Sequence, residues 1–159
     1  MKMKPAIALS AFGLLLAGFP AAAQNPPSDK WDISRIDVTK LPPAADQKGL
    51  TFDKDILSLF KASCVGCHGE QKPKHELRLD SLDAVLKGGN EGKMVVPGDS
   101  AKSLLVAAAS RIDDRTAMPP KQRPRRGGPG GPGRFGPPPK PLTAEQVGLI
   151  RAWIDQGAK

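Results

Sequence analysis

Thr51-Phe52-Asp53-Lys54-Asp55-Ile56-Leu57-Ser58-Leu59-Phe60-Lys61-Ala62-Ser63 runs directly into Cys64-Val65-Gly66-Cys67-His68-Gly69. In the first part Phe52, Ile56, Leu59 and Phe60 stand at i, i+4, i+7 and i+8, the spacing of one face of an α-helix. Thr51 or Asp53 is placed to cap its start. The second part follows that helix with two cysteines separated by two residues and a histidine adjoining the second. The 159-residue chain has two cysteines in all, and both are here.

A C-x-x-C-H run is the attachment signature of c-type haem. Two thiols at this spacing match the two vinyl groups of one haem, across which they add as thioethers. The adjoining imidazole then lies under the iron and supplies a nitrogen ligand. Cys64, Cys67 and His68 take these roles. Other readings of the pair fare worse. A zinc cage needs two further Cys or His ligands, and His75 is the single histidine left over. A thioredoxin-like redox pair belongs in an α/β pattern, whereas the periodicity here is helical. A disulfide between residues this close encloses a tiny loop and stabilises little.

Outward from the motif the pattern stays helical. A second helix is expected over Ser81–Lys87, capped by Asp80 or Ser81 and stopped by Gly88, and a third over Ser100–Ser110, opened by Asp99 or Ser100. A loop then carries Met118-Pro119-Pro120. In the last segment Thr143 and Gln146 form a capping box, Val147, Ile150 and Ile154 share a face, and Gly157 ends the helix. The fold class is all-α: about four helices around one haem, a cytochrome c-like domain over residues 51–159. Ahead of it, residues 24–50 read as a proline-interrupted leader, either a free arm or a segment docked in extended form through Trp31, Ile33, Ile36 and Val38.

Two stretches fall outside this pattern. Residues 1–23 have the three parts of a secretory signal in order: Lys2 and Lys4, an uncharged apolar run from Ala6 to Phe19, and Ala21-Ala22-Ala23 before Gln24. Cleavage near Ala23-Gln24 leaves roughly 136 residues in a periplasmic or otherwise exported compartment, a size that suits one domain. No later stretch is apolar for long enough to span a bilayer. In residues 121–140, twelve positions are Gly or Pro and six are Lys or Arg, with no acid among them. Such a composition forms no packed core and reads as a disordered basic insertion. Of the net charge of +8, six charges lie there and two in the signal, so the remaining chain is near neutral.

The run Cys64–His68, with Leu77-Arg78-Leu79-Asp80, Gly88-Gly89, Val96-Pro97-Gly98-Asp99, Ser103-Leu104-Leu105, Met118-Pro119-Pro120 and Trp153-Ile154-Asp155-Gln156-Gly157-Ala158, resembles the planctomycete-type cytochrome c domain. The resemblance covers about residues 50–120 and 141–159. It implies the cytochrome c helical fold, in which first and last helices cross beside the haem. It also implies a distal methionine ligand, followed by proline, at Met118. The insertion at 121–140, directly after that Met-Pro-Pro, departs from the family pattern.

The residues themselves also favour Met118 as sixth ligand: a thioether is soft and favours ferrous iron, and the two prolines stiffen the backbone after it. His75, Met94 and an open site are the rivals. Arg78 is a candidate partner for a haem propionate. Leu79, Leu82, Leu86, Leu104 and Leu105 are expected to wall the haem, with Phe60 and Trp153 in the core. A His/Met haem has no open coordination site, which suits a one-electron carrier and no catalytic residue. An open site would suit a peroxidase or gas sensor instead, and a purely structural haem would suit a non-redox interaction module. The expected partners are redox proteins, met by a monomer through small transient interfaces. The basic insertion adds possible steering toward acidic partners or an anionic membrane surface. Its Arg-Gly wording is similar to RNA-binding tails, but export argues against nucleic acid.

Overall fold

The computed structural model describes residues 32–71, 73–121 and 139–159. The expected signal segment, Trp31 and most of the basic insertion lie outside the described residues. Among those described there are five α-helices and no strand: α1 (Leu57–Ser63), α2 (Val65–His68), α3 (Leu82–Lys87), α4 (Leu104–Ser110) and α5 (Ala144–Asp155). Four match the expected segments, and α2 is the motif itself. No described helix is long and apolar enough to cross a membrane.

The first helix starts differently from expectation. Phe52–Ile56 is a π-helical turn that runs into α1. In an α-helix, residues four apart drift steadily around the axis. The wider π turn opposes that drift, so Phe52, Ile56 and Phe60 all reach the core, each no more than 1% exposed, while Leu59 is only half-buried. Neither expected side chain caps the start. The Asp55 carboxylate instead reaches back and accepts from the Thr51 N–H at 2.8 Å.

The third helix begins four residues later than its sequence pattern suggested, because the polar groups of residues 99–103 are engaged elsewhere. The Asp155 carboxylate on α5 accepts from the Ser100 N–H at 2.7 Å and from its hydroxyl at 3.0 Å. The Ser103 hydroxyl donates to the Asp99 carbonyl at 2.8 Å and accepts from the Val96 N–H at 2.9 Å. Ser and Asp side chains used this way hold a turn against helix propagation.

The capping box of α5 is formed as read: the Thr143 hydroxyl accepts from the Gln146 N–H, and the Gln146 side chain accepts from the Thr143 N–H. At the other end Gly157, at φ +99°, bonds to the Ile154 carbonyl and Ala158 to the Trp153 carbonyl. This paired closure satisfies the last carbonyls of the helix. Helix α5 packs on α4 and on the π turn that opens α1.

Residues 32–50 lie on this core. They form two short 3-10 turns, Ile33–Arg35 and Val38–Lys40, and Ile36, Leu41 and Leu50 are buried with the helices, so of the two expected forms the docked one is found, in turns and not in extended form. The segment crosses α5 at Gly148, where the Ala45 N–H donates to the Gly148 carbonyl at 3.0 Å. Arg151 also donates to the Pro42 carbonyl. A Cβ at Gly148 would sit 2.8 Å from the Pro43 carbonyl oxygen. Gly148→Ala would stabilise an isolated helix by about 1 kcal/mol. Here the crowding reverses the sign, to a net loss of about 1–2 kcal/mol. Denaturant unfolding and hydrogen exchange at the Ala45 amide check this, and a more stable variant would contradict the packing.

Candidate functional site

Helix α1 ends at Cys64, whose N–H bonds to the Phe60 carbonyl at 2.7 Å. The chain restarts there as α2, with the Cys67 and His68 N–H groups both on the Cys64 carbonyl, at 3.0 and 2.9 Å. Positions i, i+3 and i+4 share one helix face, so one short turn presents two thiols and an imidazole together. All three line one cavity of about 240 Å³.

His68 is buried, 9% exposed. Its Nδ1 lies 3.1 Å from the Leu77 carbonyl oxygen. A carbonyl only accepts, so Nδ1 carries the proton and Nε2 is left with the lone pair. That tautomer suits a metal ligand. Burial holds the imidazole below the ordinary histidine pKa, against the opposing pull of the Leu77 hydrogen bond. The positive fields of His75 and Lys74 act in the same direction as burial. Burial, with a smaller push from Cys67, raises the Cys64 thiol to about 11. Thiol redox catalysis uses a thiolate, and Cys64 is set up as a neutral thiol. Among the described residues no three of His, Cys, Asp and Glu converge as a metal cage.

Met118 lines the same cavity. Its loop is tied to the end of α4 by its own N–H, which donates to the Ala108 carbonyl at 2.9 Å. Just upstream, Arg115 clasps the Asp113 carboxylate and holds its pKa down to about 2. His75 and Met94 also line the cavity, but under different constraints. The His75 ring is half-exposed, with Nδ1 3.9 Å from Glu91 Oε1. Met94 is 6% exposed and belongs to the hydrophobic core.

Several expected roles are redistributed. Arg78 does not line the cavity; its Nε and Nη2 each donate at 3.0 Å to the Asp80 carboxylate. Lys74 is the lysine on the lining. Of the five leucines expected around the haem, Leu79 and Leu105 line the cavity, while Leu82, Leu86 and Leu104 pack in or against the core. Leu104 and Leu105 are neighbours on α4, so they cannot face the same way. Phe60 and Trp153 are fully buried in the core. The sequence reading missed Leu77, Ala108 and Ala109 in the lining. The available signal was Ala107-Ala108-Ala109, three small residues together after Leu104, Leu105 and Val106 in one helix.

These residues fit the covalently held haem that the motif implies. The two free thiols, the His68 imidazole with Nε2 available and the Met118 thioether share the cavity with His75 and Met94, and its remaining walls are mostly leucine, alanine and proline. No curated protein and no solved structure matches the chain. The comparison with protein families does find a match: residues 64–122 fit the family described as planctomycete cytochrome C, so over the segment that runs from the first motif cysteine past Met118 the chain is similar to the family its motifs resemble.

Proposed function

We propose that this protein is an exported mono-haem c-type cytochrome that carries single electrons between redox proteins. The observation that carries the reading is the convergence of Cys64, Cys67, His68 and Met118 on one apolar cavity. Bound there, haem c supplies an iron centre that changes by one electron. Cys64 and Cys67 anchor the group by thioether bonds, and the raised pKa of Cys64 keeps its thiol neutral before attachment. His68 holds the iron through Nε2, its ring fixed by the Leu77 carbonyl. Met118, on the same cavity, would be the second protein ligand to the iron. Met94 serves as a core side chain, and the half-exposed His75 stands beside Glu91. With His68 and Met118 both available to hold the iron, a small molecule would find no place on it, which favours a carrier over an enzyme. The mostly apolar walls would restrict solvent access to the centre, which tunes its potential.

The test is expression of the full chain in a periplasm that attaches haem c. A c-type spectrum that stays with the polypeptide after acid extraction supports the reading, and Cys64→Ala with Cys67→Ala is expected to lose the covalent haem completely. Wild-type protein that binds no haem covalently would overturn it.

A further inference from the structure

We propose that Gly89 is a positioning residue for His68, acting through the backbone of residues 74–77 to fix the hydrogen bond on Nδ1; the proposal rests on the haem-ligand role of His68 given above. The segment following the motif folds back on His68 twice. The Leu77 carbonyl takes the Nδ1 proton at 3.1 Å, and the Leu79 N–H donates to the His68 carbonyl at 2.8 Å. Immediately before Leu77 the chain is in an uncommon conformation, with His75 at φ 55° and Glu76 at φ 54°. Left-handed backbone at two non-glycine residues persists only where the surroundings enforce it.

The tight turn Gly88–Gly92 is what encloses this segment. The Asn90 N–H donates to the His75 carbonyl at 2.8 Å. Gly89 lies so close that a Cβ there would sit 2.5 Å from the His75 carbonyl oxygen and 3.0 Å from both the Leu77 nitrogen and its Cβ. The turn is itself closed by paired bonds between Gly89 and Gly92, at 3.1 and 2.9 Å. Pressure at Gly89 therefore reaches the acceptor of the His68 proton within two residues, without touching the ring. Partners on the far nitrogen of a ligating histidine set its orientation and its strength as a donor. Gly89 thereby sets how strongly His68 binds.

The experiment uses the full haem-loaded chain. It compares wild type, Gly89→Ala and Gly92→Asn by solvent exchange of the His68 Nδ1 proton, by midpoint potential and by amide protection in α5. A Cβ at Gly92 meets nothing within 4 Å, so Gly92→Asn strains the same turn at φ +91° without pressing on residues 74–77, and it is expected to keep the wild-type Nδ1 exchange and potential. Gly89→Ala is expected to speed Nδ1 exchange about tenfold, the equivalent of one weakened hydrogen bond, and to move the potential while α5 stays protected. Unchanged exchange and potential in Gly89→Ala would overturn the proposal. If that variant also loses α5 protection, Asn90→Pro decides by the same readouts, since it removes the N–H given to His75 without adding a Cβ at Gly89. If the wild type attaches no haem, the functional reading fails, and Nδ1 exchange in the haem-free chain still tests the positioning role.

Discussion

Met118→Ala, in protein that keeps its covalent haem, is expected to lose the near-red sulfur-to-iron absorption of the ferric state, to bind added carbon monoxide when reduced, and to drop in reduction potential by on the order of 0.2 V, a fraction of the roughly 0.8 V range that axial ligands span. A thioether stabilises ferrous iron relative to ferric, so its removal lowers the potential. The loop itself should survive the change. Its anchor is the Met118 backbone N–H on the Ala108 carbonyl, which alanine retains, and Asp113 with Arg115 holds the chain just upstream. The spectral change thus reports the side chain and not a collapsed loop. His75→Ala and Met94→Leu are the companions: both side chains line the cavity, and both variants are expected to keep the sulfur band. A Met118→Ala protein that keeps that band and still refuses carbon monoxide would show that Met118 is not the ligand, and the companion that loses it would identify the replacement. A wild type that binds carbon monoxide readily would move the protein toward the sensor or peroxidase reading.

The parts of this site that were legible from the sequence are those set by local spacing. Cys64, Cys67 and His68 meet because a single helical turn places them together, and the α5 capping box closes within four residues. Contacts across the chain were not legible. The start of α4 depends on Ser100 being taken by Asp155, 55 residues away, so the local helix signal at Asp99-Ser100 misled. The acceptor for His68 is a backbone carbonyl, and the identity of Leu77 carries no mark of that use. Arg78 shows the same limit from the other side: its fork made it a candidate for a propionate, and in the structure a carboxylate two residues on pairs with its guanidinium. Cavity membership failed for a similar reason. A leucine pattern shows which residues leave solvent, but a core and a cofactor pocket are lined by the same residue types.

Trp153→Ala is expected to cost about 3–5 kcal/mol, much of the 5–15 kcal/mol that holds a typical domain folded. Trp153 is fully buried and packs on Phe52 at a centroid distance of 5.8 Å, while Phe52 meets Phe60 at 6.0 Å. The three rings join α5 to the π turn and to α1. Removing the indole leaves a cavity where the two ends of the domain meet. It also removes the Nε1–H donated to the Lys159 carbonyl at 2.9 Å, a contact worth about 1 kcal/mol. That carbonyl also accepts from the Phe52 N–H at 2.9 Å, so the last residue is held to the first turn from two directions. Thermal unfolding followed by circular dichroism should show the midpoint falling by about 10–15 °C, and Trp153→Phe, which keeps a ring on Phe52, should recover more than half of the loss. Trp153 does not line the cavity, so the folded fraction of either variant should keep the wild-type haem spectrum and refuse carbon monoxide. A loss below 1 kcal/mol would mean that the three rings do not join the ends of the domain, and a normal stability with an altered spectrum would move Trp153 from the core to the site.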